Sequence, residues 1–169
     1  TCPLQQRHIT PYFYLHFYTV NTAKLSENVW KEAEKMLEQI QKYPQKEEYQ
    51  KLVEADRINL YEREAEKGDD RKFLEETDRV FKENLKGDSA WKLYERKLVY
   101  LESKQPDISR EFERFLKKYP KVMDAYVEYS IYLCRNNKMT QAQRVYREGR
   151  KQTGMTSKRA EELRRKLGL

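Results

Sequence analysis

The pattern Ala90-Trp91-x-x-Tyr94-x-x-x-Leu98 returns 35 residues later as Ala125-Tyr126-x-x-Tyr129-x-x-x-Leu133. Each copy leads into a second amphipathic segment, Asp107 to Tyr119 after the first and Met139 to Gln152 after the second. A two-helix unit with a period of about 20–50 residues cannot bury its apolar face alone, so neighbouring units must stack. The spacing therefore predicts an all-α chain built as an α-solenoid of antiparallel helix pairs. In such a unit Trp91 and Tyr126 fill the gap where two helices cross, and Tyr94 and Tyr129 follow on the same face.

Composition agrees with helices joined by short turns. Only five Gly and five Pro interrupt 169 residues, which argues against an all-β fold. Charged residues are 37% and mean hydropathy is −1.09, yet 13 Tyr and 6 Phe make the chain too aromatic for disorder. Helices are expected over 28–42, 47–67, 71–86, 90–103, 107–118, 123–135, 139–152 and 158–166. An earlier one over 11–20 rests on Thr10 as N-cap and Pro11 at the first helical position. Gly68 stops the second of these segments, Gly87-Asp88-Ser89 forms a capping turn, and Thr156-Ser157 caps the last helix. The tripeptide Lys-Tyr-Pro closes two helices, at Pro44 and at Pro120. The units run over about 10–44, 46–86, 88–120 and 121–153, with a terminal helix over 156–167. Thr1 in place of Met suggests a fragment of a longer protein.

Charge is uneven. The net formal charge is +7, but residues 1–134 carry 24 Lys/Arg against 25 Asp/Glu, and residues 135–169 carry 11 against 3. The basic character thus belongs to the C-terminal fifth, where Arg147, Arg150, Lys151, Lys158, Arg159, Arg164, Arg165 and Lys166 are candidates to meet RNA or an acidic partner. A solvated helix face is the plain alternative. Tyr146 is expected in the core, so no aromatic interleaves these cations. A base-stacking platform is therefore not expected, and RNA contact would run through the phosphate backbone.

No catalytic constellation emerges. His8 and His16 have no acid beside them in sequence, and there is no phosphate-binding glycine loop, GxSxG or HExxH. With Cys2 and Cys134 the only cysteines and no CxxC, a zinc site is not expected. Cys134, on an apolar helix face, reads as a buried free thiol in a reducing compartment. No run reaches the roughly 18 apolar residues of a membrane span. Neither an enzyme nor a cofactor is expected.

The aromatic-x-x-Tyr pattern of Trp91, Tyr94, Tyr126 and Tyr129 is joined by a second. Asp78-Arg79-Val80-Phe81 and Gln143-Arg144-Val145-Tyr146-Arg147 place an arginine before an aliphatic and an aromatic residue. Together these resemble half-a-TPR (HAT) repeats, the helical arrays of RNA-processing proteins, over residues 47–152. The stretch from Trp91 to Tyr119 is most similar to HAT proteins of the small-subunit processome. The resemblance implies a right-handed solenoid with a C-terminal capping helix. It also implies a scaffold for other proteins of a nuclear, in particular nucleolar, ribonucleoprotein complex engaged in rRNA processing, with RNA contact as an alternative. A TPR-like cytoplasmic adaptor and a self-association domain are the other readings. Arg79 and Arg144 are expected to lay their stems over the apolar stripe and pair with an acid of a neighbouring helix.

Overall fold

The computed structural model describes residues 16, 27–42, 47–83 and 85–169. Pro44, His8 and the expected first helix, apart from His16, lie outside the described residues. Eight α-helices and no strand occur among the described residues: α1 (Glu27–Gln41), α2 (Glu47–Glu66), α3 (Arg71–Lys82), α4 (Gly87–Glu102), α5 (Ser109–Lys118), α6 (Met123–Arg135), α7 (Met139–Thr153) and α8 (Lys158–Lys166). The chain divides into two compact units, Thr1–Val80 and Phe81–Leu169.

In the first unit α1 packs on α2 through Ala33, Leu37, Ile40, Val53 and Leu60, with Leu52 and Tyr61 against them. The i, i+4 and i+7 spacing of the α1 residues gives that helix its single apolar stripe. Gly68, at φ +116°, ends α2 as expected. Arg79 bonds Glu54 of α2 at 3.1 Å and Glu76 of its own helix at 2.8 Å. Arg57 reaches Glu76 as well, at 3.1 Å. His16, half-exposed, has Nδ1 3.0 Å from Oδ1 of the buried Asp56, so the fold supplies an acid that local sequence did not.

Glu64 of α2 is 9% exposed. Burial first, then a hydrogen bond with the Glu34 carboxyl of α1, push its acid up to about 7, against Lys72 of α3 at 3.5 Å. The folded chain therefore holds a proton here that the unfolded chain releases near 4.5. This contribution to stability is complete below about 4.5 and is lost as pH rises from there to about 7. Glu64→Gln should accordingly be more stable than the native chain at pH 8, by about 2 kcal/mol, with the gap closing at pH 4. Thermal melts at the two pH values check this.

In the second unit α6 is central, packing on α5, α7 and α8, while α4 packs on α5. Phe115, fully buried, gathers the rings of Phe81, Trp91, Tyr94 and Tyr119 around it at 5.1–6.0 Å. Phe112 stacks on Tyr129 at 4.7 Å and 8°. These aromatic contacts join successive helices, each ring filling a gap between them.

Three helix ends depart from the sequence expectation by more than one residue. The third helix stops at Lys82 rather than 86, leaving Leu85 beyond it. The Lys118 ammonium donates to the carbonyls of Phe81 and Glu83, the latter at 3.1 Å, so tertiary contact satisfies oxygens that a further helical turn would have used. The next helix begins at Gly87, three residues early, and Lys86 at its N-cap makes no side-chain cap. A Cβ at Gly87 would lie 2.7 Å from Val122 Cγ2, so glycine is what lets this helix start against the α5–α6 connection. Lastly, α5 begins at Ser109, two residues late. The Asp107 carboxylate instead accepts from Ser109 N–H at 2.9 Å and from Lys138 at 2.8 Å. These donors hold its acid well below the usual carboxylate range.

Candidate interaction surface

The basic segment forms α7, a turn and α8. The turn runs through two successive left-handed residues, Gly154 at φ +79° and Met155 at φ +45°. Glycine ends α7, its N–H bonding the Arg150 carbonyl. Met155 is buried and lies over Gly149. Ser157 caps α8, its hydroxyl accepting from Ala160 N–H at 3.1 Å. Tyr146 is 1% exposed and donates to the Ala160 carbonyl at 3.0 Å, tying α7 to α8.

The eleven cations of residues 135–169 separate into two sets. Arg135 pairs with Glu102 at 3.0 Å and Lys138 with Asp107 at 2.8 Å. Arg159 pairs with Glu128 of α6, and Arg164 with Glu161 at 3.0 Å and with the Leu169 carbonyl at 2.8 Å. Arg159 stands in an acidic setting. Burial and then Glu128 push the Glu95 carboxyl up, Arg159 opposing and Asp124 adding to the rise. The other seven, Arg144, Arg147, Arg150, Lys151, Lys158, Arg165 and Lys166, make no ion pair among the described residues, and all are exposed. Glu148 is the one acid within α7, so pairing inside that helix has almost nothing to draw on. Arg150, Lys151, Arg165 and Lys166 sit in last turns, where they also complement the helix dipole. Of the eight expected contact residues, Arg159 and Arg164 are thus already engaged, and six remain open.

Arg144 corrects a further expectation: among the described residues it pairs with no acid on a neighbouring helix. The reason lies three residues earlier. Arg79 finds Glu76 there, whereas Arg144 finds Gln141. Its guanidinium edges a groove of about 390 Å³ between α5, α6 and α7. Tyr126 and Tyr129 of α6 form the floor with Leu116 of α5 and Val145 of α7. The Tyr126 hydroxyl donates to the Pro120 carbonyl at 3.0 Å, and Tyr129 donates to Glu113 at 3.1 Å. Burial, before the nearby Glu113, pushes the Tyr129 phenol up to about 12. At the rim Glu113 and Lys117 stand one turn apart on α5, as Arg144 and Glu148 do on α7. The acids have hydrogen-bond donors, Tyr129 for Glu113 and the Gln152 amide at 2.8 Å for Glu148. The two cations have no carboxylate partner among the described residues.

Gly149 sets how closely α7 approaches Tyr126, and no repeat pattern in the sequence singles it out. A Cβ there would lie 2.6 Å from Tyr126 Cβ and 2.2 Å from Met155 Cε. The methionine end can turn away, but Tyr126 Cβ is fixed to the α6 backbone. Gly149→Ala should therefore force α6 and α7 apart and cost about 1–3 kcal/mol, despite alanine's higher helix propensity. Urea denaturation measures this directly. The one local signal is a glycine inside a helix, which is unfavourable unless close packing requires it.

Cys134 is half-buried, with its thiol pushed up by burial. Among the described residues no group of three His, Cys, Asp or Glu could hold a metal ion, and no helix is long and apolar enough to cross a membrane. No protein-family model, curated protein or solved structure matches the chain.

Proposed function

We propose that this chain is a HAT-like helical-repeat scaffold that holds proteins together within a nuclear ribonucleoprotein complex, with ribosome assembly as the favoured setting. In this reading the helix pairs form a right-handed solenoid closed by α8, whose exposed residues Lys158, Arg159, Glu162, Arg165 and Lys166 are all charged. The repeat resemblance of Trp91, Tyr94, Tyr126 and Tyr129 supports the assignment. The observation that carries it is the C-terminal end of the second unit. There seven exposed cations lack ion-pair partners among the described residues, and one of them, Arg144, edges an apolar-floored groove, a surface with more charge than its own fold uses.

Isolation of the tagged full-length protein from nuclear extract, with and without nuclease, tests the reading. Retention of the same protein partners after RNA digestion is expected, and loss of all of them would replace a protein scaffold with an RNA-bound one. The unpaired cations also favour a second reading, direct contact with RNA phosphates. Under it, affinity for single-stranded RNA falls steeply with salt. Reversal of both Arg165 and Lys166 to glutamate then flattens the log–log slope by about 1.4, at roughly 0.7 for each phosphate no longer neutralised. An unchanged slope removes these residues from any RNA interface. Self-association, the remaining reading, predicts a dimer or larger species by light scattering of the chain alone.

A further inference from the structure

The groove between α5, α6 and α7 has a more definite chemistry than the basic surface around it. Its floor is apolar in effect although two of its residues are tyrosines. Both hydroxyls are already spent, on Pro120 and Glu113, and both residues are about 95% buried. No broad ring face is left on which a nucleobase could stack. Two carboxylates, Glu113 and Glu148, also stand at the rim among the cations, so the groove lacks the unbroken cationic track that suits a phosphodiester chain charged at every unit. A protein segment suits this rim better, because it can set an isolated carboxylate against Arg144 and keep its other charges away from the two acids. Its side chains can fill an apolar floor, and it spaces its charges by the helical turn, as the rim does.

The cations choose the sign of that segment. Arg144 and Lys117 lack a carboxylate among the described residues, while the two acids already accept hydrogen bonds from Tyr129 and Gln152. Arg144 is the more telling of the two. At the matching position of the other arginine motif, Arg79 is held by Glu54 and Glu76. Gln141 in place of an acid leaves the Arg144 fork open beside the groove. A guanidinium recognises a carboxylate through two parallel N–H donors, which gives direction as well as attraction.

We propose that this groove docks an acidic–apolar segment of a partner protein, one large apolar side chain lying against the half-buried Leu116 and Val145 and a carboxylate within one helical turn of it held by Arg144. Arg147, on the same side of α7 as Arg144, extends the cationic track beyond the groove for further acids of the same segment. The inference rests on the scaffold reading and names where and how such a partner binds.

A library of random twelve-residue peptides, selected on the full chain and counter-selected on Val145→Trp, tests it. Val145 is only half-buried, so the indole fills the groove without overpacking the core, and circular dichroism confirms that the variant folds. Enriched peptides should pair a large apolar residue with Asp or Glu within four positions. By fluorescence anisotropy their binding should weaken about tenfold or more in Arg144→Gln, as expected when a charged hydrogen bond is removed. It should vanish in Val145→Trp and change little in Lys158→Gln, which lies on α8. Three results overturn the proposal: no enrichment over the counter-selection, affinity indifferent to Arg144, or an oligouridylate that binds with the same dependence on Arg144 and Val145. Partners that survive nuclease treatment and still bind Val145→Trp would sink the groove while leaving the scaffold standing. Absence of any nuclease-resistant partner on the native chain would instead sink the scaffold.

Discussion

Replacing Trp91 by alanine is expected to lower the unfolding free energy by about 3–5 kcal/mol. The indole is 5% exposed and sets its edge on Phe115 at 5.1 Å and 65°, so truncation removes both its buried area and one wall of the central aromatic cluster. Phe115 is itself fully buried, and its other neighbours belong to α3, α4 and the end of α5. They cannot collapse into the space without moving a helix, which places the cost toward the upper end. Val99→Ala, on the same helix but 66% exposed, serves as the control and should change stability by less than about 0.5 kcal/mol. Denaturation followed by circular dichroism is the suitable measurement, because the substitution also removes a fluorophore. A loss below about 1 kcal/mol would show that the indole is not packed as described.

Glu111→Ala should come next, at about 3 kcal/mol. The Glu111 carboxylate accepts from the Tyr94 hydroxyl at 2.6 Å and from Lys97 at 3.0 Å, and Lys97 is 4% exposed. Removing the acid takes a close acceptor from a buried ammonium and from a buried hydroxyl at once. Burial alone would raise the Glu111 acid. The Tyr94 and Lys97 donors and the charges of Lys97 and Arg114 outweigh it and hold the group below its ordinary value. The stabilisation is thus present above the unfolded value of 4.5 and is lost as pH falls through the lower folded one. The Glu111→Ala defect should accordingly shrink in acid, which a pH series of melts would show. An apolar triple replacement, Tyr94→Phe, Lys97→Met and Glu111→Leu, should recover to within about 1 kcal/mol of native, since well-packed apolar groups often replace a buried ion pair without loss. Failure of the triple variant to recover would mean that these polar groups fix the register of α4 on α5.

How far this structure is legible in the sequence depends on where each helix end is decided. The bounds of α6 and α8 coincide with those read from periodicity and capping residues, and α7 is one residue longer, because their ends are local: Gly154 and Ser157 act on their own backbone. The end of α3 and the starts of α4 and α5 are settled by residues far along the chain, Lys118, Val122 and Lys138, and no window of sequence contains both parties. The surface divides in the same way. Charge asymmetry marks the basic segment, yet which cations are open depends on Glu128, 31 residues before Arg159. Tyr126, Tyr129 and Arg144 stand out in the sequence as repeat positions. That they share a groove with Leu116, Lys117 and Glu148 follows only from three helices meeting. The difference between Glu76 and Gln141 is readable in the chain, but it acquires meaning only once Arg79 is seen held and Arg144 is not.

The turn at Gly154 and Met155 also bears on how quickly this end of the chain forms. Met155 meets Gly149 six residues back, and Tyr146 bonds Ala160 across 14 residues. Closing loops this short costs little chain entropy, and contacts of low sequence separation go with rapid folding. Helices α7 and α8 can therefore find each other early and offer α6 a preformed partner.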